Sequence, residues 1–278
     1  MSNYPQFSIV TPSFNQGAFL NEMLLSVSNQ SPFLLEQIVM DGGSRDGSVE
    51  LLRQHSDSGR TDLQWVSEPD HGQSHALNKG FVRARGDIVG WLNSDDRYRP
   101  GCLEAVARAF REDRAADVIY GDYAWIDEQG RLMQVRREIE FNLFVLLYHR
   151  VLYIPTTATF FRRRVFEEGN FLNENLHFAM DYEFFLRLAF RGYRLRHLPV
   201  VLADFRFHTQ SKSCTMPDKQ LQEQNMVMQQ YSSILRNCQS SLSRKAAALA
   251  LRTAAAALRY SEKAVRGYYF DRLRSPAA

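Results

Sequence analysis

A chain of 278 residues with 45% hydrophobic and 23% charged content is long enough for one large domain, with or without a small appendage. It has no run of about 18 apolar residues, which excludes a spanning helix, and its start, MSNYPQFSIV, lacks the basic-then-apolar order of a secretory signal. Three scattered cysteines, Cys102, Cys214 and Cys238, without a CxxC, argue for a reducing, cytoplasmic setting and against zinc or a disulfide framework.

Charge is unevenly spread. From Ser241 onward eight basic residues (Arg244, Lys245, Arg252, Arg259, Lys263, Arg266, Arg272, Arg274) meet two acidic ones (Glu262, Asp271). The tail therefore carries +6 of a chain total of +3, which leaves residues 1–240 at −3. A mildly acidic body does not imply nucleic acid as a partner.

Residues 7–11 (FSIVT) predict a buried strand, broken by Pro12 and a polar loop, and 18–30 predict a helix through Phe19, Met23 and Val27. Strands follow at 37–40, 63–66 and 87–92, with helices at 48–55 and 73–85 between them. This alternation, with short polar loops, is the signature of βαβ units on a parallel sheet. After Pro100 the rhythm changes. A helix at 102–112 leads to strands at 118–121 and 123–126, split by Gly121-Asp122, and to a strand at 132–136. Helices at 141–148 and 181–191 and strands at 157–161, 195–198 and 200–207 complete a mixed second half. Residues 218–274 read as helical, with Lys245, Arg252, Arg259 and Arg266 recurring every seven positions, a face that drifts by roughly 20° per repeat. That face is either solvated or suited to an anionic membrane surface.

Chemistry collects where strands end. The 87–92 strand runs into Asn93, Ser94, Asp95 and Asp96, where an open α/β sheet has its ligand crevice. Adjacent carboxylates there suit a divalent cation holding a phosphate; a turn with solvated acids is the alternative. TPSFN (11–15) offers backbone N–H groups beside a helix start, a natural diphosphate or nucleoside contact. Asp41, at the end of the second strand, is either an acceptor for a base edge or ribose, or a turn residue. His75 and Asn78 share a face of the 73–85 helix, as an ordinary surface helix would also arrange them.

Together TPSFNQGAFL, IVMDGGSRDGSVELL, SEPDHGQSHALNKGF and GDIVGWLNSDDRYRPG resemble the family 2 glycosyltransferases, over about residues 7–213. The chain is similar to the bacterial enzymes that build cell-surface polysaccharides. The resemblance implies the α/β GT-A fold: a Rossmann-like nucleotide-binding half with a mixed central sheet in 1–213, followed by a basic helical extension, 214–278. It implies that Thr11, Pro12, Ser13 and Asn15 cradle the nucleoside, that Asp41 bonds the base edge, and that Asn78 and Lys79 lie near the nucleotide or diphosphate. Asn93-Ser94-Asp95 occupies the place of the family's DxD motif. Asn93 replaces the first acid and is left to contact the ribose or to bind through its carbonyl, Asp95 remains for Mn²⁺ or Mg²⁺, and Asp96 stands in reserve. His208 matches a late histidine that approaches the metal or diphosphate.

Where the family carries a Glu-Asp pair, this chain has Met180-Asp181, which makes Asp181 the expected general base. Glu183, about 200° further around the helix, is the competitor. The implied reaction is inverting transfer from a UDP, dTDP or GDP sugar to a hydroxyl of a glycan or lipid-linked acceptor. Polymer-extruding relatives carry QxxRW and membrane helices, both missing here, so transfer is expected to be non-processive. The substitution at Asn93 and the missing glutamate leave a catalytically idle nucleotide-sugar binder as the alternative. A nucleotidyltransferase is opposed by the first loop, PSFNQG, which has no basic residue.

Overall fold

The computed structural model describes residues 4–149, 151–208 and 217–269. Cys214, Phe270, Arg272 and Arg274, and the expected division at 213/214, lie outside the described residues.

The first half alternates as the sequence predicts. β1 (Phe7–Ser13), β2 (Leu34–Asp41), β3 (Leu63–Ser67) and β4 (Ile88–Trp91) are linked by α1 (Gly17–Ser28), α2 (Ser48–Asp57) and α3 (Gln73–Arg83). These strands pair in parallel in the order β3-β2-β1-β4. The chain thus works outward to one side of β1 and then crosses to the other, which opens a crevice at the strands' carboxyl ends. Successive side chains enter opposite cores, as strand pleating requires. Ile9 and Ile88 join the cluster under α1 and α4 (Cys102–Glu112), whereas Val10 and Val89 join the cluster under α3. Gly80 brings α3 close: a Cβ there would lie 2.3 Å from Val10 Cγ1.

The second half is mixed. β8 (Thr159–Arg162) runs antiparallel beside β4, followed by β6 (Val118–Ile126), β9 (Leu195–Arg206) and the two-residue β5 (Arg97–Tyr98). β7 (Leu132–Arg136) pairs with the far end of β6. Two expected breaks are absent. Residues 118–126 form one strand and 195–206 another, because the irregularity is taken up inside their pairing. Leu198 pairs with Gly121 and Val201 with Asp122, so Pro199, with no N–H to donate, sits in a two-residue bulge. Gly121 is needed for contact, since a Cβ there would lie 2.4 Å from Leu202 Cδ1.

α5 (Leu143–Tyr148), capped by the Asn142 side chain, the short α6 (Arg164–Glu167) and α7 (Met180–Phe190) cover the α3 face of the sheet. The extension packs onto the same core. Val227 and Met228 of α8 (Pro217–Tyr231), Leu235 of α9 (Ser233–Arg236) and Ala255 of α10 (Ser241–Val265) are buried with Phe184, Tyr148 and Tyr153.

The basic stripe of α10 turns inward rather than to solvent. Arg259 and Lys263 both donate to the buried Glu138, at 2.6 and 2.8 Å. Arg252 bonds Asn225, and Arg266 pairs with Glu262 at 2.9 Å and Glu140 at 3.5 Å. Of the four heptad cations only Lys245 is exposed; Leu242, Leu249, Leu258, Tyr260 and Val265 of α10 are also exposed.

Candidate active site

Register brings Ser13, Asp41 and Ser67 level at the carboxyl ends of β1, β2 and β3. Asp41 is buried and collects donors from all sides: Ser13 Oγ (3.1 Å), Ser67 Oγ (2.7 Å), Ser44 Oγ (2.5 Å) and the amides of Gly43 (3.1 Å) and Ser44 (2.9 Å). Its lone pairs are thus committed to shaping the loop, and a base edge reaches it only by displacing one of these rotatable hydroxyls. The loop after β1 is stitched to the loop after β2. The Asn15 amide donates to Ser44 Oγ (2.7 Å), Asn15 Oδ1 accepts from the Arg45 amide (2.9 Å), and Gly17 donates to Asp46 (2.8 Å). Asn15 holds a left-handed φ of 51°, which asparagine tolerates. Burial raises the Asp46 carboxyl, but hydrogen bonds from Ser48 and the Gly17 amide outweigh it and hold its pKa below the usual range.

Of the four residues expected to cradle the nucleoside, Ser13 and Asn15 reach this loop system. Thr11 and Pro12 are buried in β1, and the Thr11 hydroxyl is turned toward Met23 Sδ at 3.6 Å. Phe14 was missed by the sequence reading. Its side chain is 60% exposed, and a Cβ on Gly42 would lie 3.2 Å from its ring and 2.7 Å from Asp70 Oδ2. An aromatic at the tip of an otherwise polar loop was the available signal.

The NSDD segment after β4 divides its four residues between frame and opening. Asn93 Oδ1 accepts from the Trp91 indole and from Gln73 Nε2, both at 3.0 Å, while Asn93 Nδ2 donates to Asp96 at 3.3 Å. Ser94 is buried. Asp96 is not a reserve ligand. It is buried against Asn93 and the Arg206 amide (2.9 Å), and burial, then the nearby Asp95 charge, push its carboxyl well above the usual range. Asp95 faces the other way and bonds His208 Nε2 at 2.9 Å. Arg206, another residue the sequence reading passed over, fastens this pair: its Nε donates to the Asp95 carbonyl at 2.9 Å, and His208 follows two positions later.

Asp95 and His208 fit a cation as a partial donor set. One carboxylate oxygen of Asp95 has no partner among the described residues, and oxygen plus imidazole nitrogen suits Mn²⁺ or Mg²⁺ completed by phosphate oxygens and water. Among the described residues no group of three or more His, Cys, Asp or Glu is arranged to hold a metal by protein alone.

The first turn of α3 links the NSDD segment to α7. Gln73 bonds Asn93, and the next residue, Ser74, contacts Met180 Sδ at 2.7 Å, immediately before Asp181. Glu183 is otherwise engaged: buried, it holds Arg187 at 2.9 Å and accepts from Tyr231 at 2.8 Å. Asn78 and Lys79 are also committed elsewhere. Asn78 bonds both backbone groups of Leu172 (2.9 and 3.0 Å) and Glu174 (2.9 Å), and Lys79 pairs with Glu68. Both line an open groove of about 510 Å³ with His75, Val82, Arg83 and Phe171.

Comparison with known proteins shows the family and the fold. The family model "Glycosyl transferase family 2" matches residues 8–169. An uncharacterised glycosyltransferase of Mycobacterium tuberculosis is 31% identical over 191 residues, 68% of this chain and 71% of that protein. Escherichia coli chondroitin synthase is 25% identical over 196 residues, 68% of this chain and 27% of that protein. The crystal structure of S. aureus TarS 1–349 in complex with UDP-GlcNAc has a TM-score of 0.67 at 18% identity, covers 89% of this chain and 71% of that one, and shares its GT-A fold. The chain spans about half the length of the first curated relatives it matches. With the family model covering more than half of the chain, and a relative above 30% identity over two thirds of it, the chain belongs to glycosyl transferase family 2.

Proposed function

We propose that this chain transfers a single sugar, with inversion, from a nucleoside-diphosphate sugar to a hydroxyl of a glycan or lipid-linked acceptor. The observation that supports the reading is the short bridge Asn93–Gln73–Ser74–Met180, which links the segment carrying Asp95 to the residue before Asp181. The nucleoside would lie against Phe14 and the Ser13–Asp41–Ser44 loops. Asp181 would take the acceptor proton as its oxygen attacks the anomeric carbon in line, the bond to the diphosphate breaking as the new C–O bond forms. A divalent cation held by Asp95 and His208 would offset charge on the leaving diphosphate. TarS was crystallised with UDP-GlcNAc, and chondroitin synthase is a relative, which supports a UDP-sugar donor and a polysaccharide product as the first to test.

Asp181→Asn is expected to lower sugar-nucleotide turnover at least a hundredfold while UDP still binds. Glu183→Gln is expected to cost stability instead. Turnover that survives in Asp181→Asn and is lost in Glu183→Gln would reverse the assignment. A wild-type chain that binds nucleotide but releases none from its sugar would be an idle binder.

Among the described residues no helix is long and apolar enough to cross a membrane. Peripheral contact at a cytoplasmic membrane face is assigned to the exposed apolar residues of α10, because Arg259 and Lys263 are engaged by Glu138. Vesicle co-sedimentation that is abolished by Leu249→Asp and insensitive to salt supports this; salt-sensitive binding to anionic vesicles alone contradicts it.

A further inference from the structure

We propose that Glu223, on the helical extension, is a positioning residue for Asp181; the proposal rests on the reading of Asp181 as the base. α7 begins at Met180, and its cap residue, Ala179, has no side-chain acceptor, so the backbone that leads into the helix needs a partner from elsewhere. Glu223 supplies it. Its Oε2 accepts from the amides of His177 (3.1 Å), Phe178 (2.7 Å) and Ala179 (2.9 Å), and its Oε1 also accepts from His177 (3.2 Å). Three successive amides on one carboxylate fix the backbone path into the helix two residues before Asp181, through charge-assisted bonds stronger than neutral ones. The negative charge also lies favourably at the positive end of the helix dipole.

α8 holds the other flank too. Tyr231, at its far end, donates to Glu183 at 2.8 Å, and the buried Tyr182 hydroxyl bonds the Leu147 carbonyl at 2.5 Å. Asp181 therefore lies between a capped entry and a fixed first turn, both supplied in part by α8. The extension is a component of the acceptor side of the site, and residues 1–213 alone lack the cap.

The test uses the full chain as wild type, Glu223→Ala, Glu223→Gln, Asp181→Asn and the double variant Asp181→Asn/Glu223→Ala. UDP binding is measured by calorimetry, UDP release from UDP-GlcNAc by a coupled assay, and amide exchange by mass spectrometry. The exchange arm reads the cap whatever donor the chain prefers. Glu223→Ala is expected to raise exchange at 177–181 at least tenfold, to leave UDP affinity and stoichiometry within twofold, and to lower kcat ten- to a hundredfold. Glu223→Gln, which keeps an acceptor oxygen, recovers most of that loss. The double variant is no slower than Asp181→Asn alone, because Glu223 acts through Asp181.

Unchanged exchange at 177–181, unchanged kcat, or UDP stoichiometry falling in step with kcat each overturns the proposal. So does a double variant slower than Asp181→Asn by the full Glu223→Ala factor. If Asp181→Asn is itself fully active, the base assignment fails together with the inference; if Asp181→Asn is inactive and Glu223→Ala is normal, only the inference fails.

Discussion

Asn93 is where this chain departs from the family pattern, and its contacts show what the departure does. The side chain serves as a clip, with its carbonyl taken by Trp91 and Gln73 and its amide donating to Asp96. Restoring an acid by Asn93→Asp would replace that donor with a third carboxylate beside Asp95 and the buried Asp96. Asp96 already holds its proton more tightly than an ordinary carboxyl because of burial and the Asp95 charge. Asn93→Asp is expected to cost about 1–3 kcal/mol at pH 8. The cost shrinks as pH falls, since protonation removes the repulsion. Thermal melts at pH 8 and pH 5 check this, and equal stability at both pH values with tighter Mn²⁺ binding would contradict it. Asp95 and His208 were legible because motif order and strand ends are written locally. The engagement of Asn78 by Leu172 and of Glu183 by Tyr231 was not, because those partners are about 94 and 48 residues away in the chain.

At the scale of elements, the buried Glu36 ties three strands and a turn. It accepts from Ser8 of β1 (2.6 Å), Gln64 of β3 (2.8 Å) and Arg85 before β4 (2.7 Å), while itself belonging to β2. Burial raises its carboxyl, yet the bonds from Arg85 and Ser8 prevail and hold its pKa below the usual range. A depressed native pKa stabilises the fold above the unfolded value, near 4.3, and that contribution is lost as pH falls through the native pKa. Glu36→Gln is therefore expected to destabilise by about 2 kcal/mol at pH 7, and the gap from wild type to narrow below pH 4. A gap that is constant or widens in acid would contradict it. The parallel half was readable because each buried strand is a short apolar run closed by turn residues. The fusion of 118–126 and of 195–206 was hidden because Gly and Pro mark a bulge and a break alike. β5 was hidden because two residues carry no period.

Over the whole molecule, the tail that composition set apart is joined to the body by its charges. Glu138 receives Arg259 and Lys263, and α8 and α10 share the core of α5 and α7. Heptad spacing showed which cations share a face but not where that face points, since the countercharge at Glu138 lies some 120 residues earlier. The extension is thus part of the α5–α7 layer, and Glu223 ties it to the entry of α7.

The proposed transfer requires that the loops after β1, β2 and β4 form a nucleoside-diphosphate site. A thermal-shift and calorimetric titration with UDP, dTDP and GDP, with and without Mn²⁺, on wild type and Phe14→Ala, tests it most directly. At a hundredfold excess over Kd the preferred nucleotide is expected to stabilise the wild type by about 2.7 kcal/mol. Mn²⁺ should tighten binding, and Phe14→Ala should lose about 1–3 kcal/mol of affinity through the missing base stack while melting normally on its own. If none of the three nucleotides raises the melting temperature, with or without metal, the account is wrong.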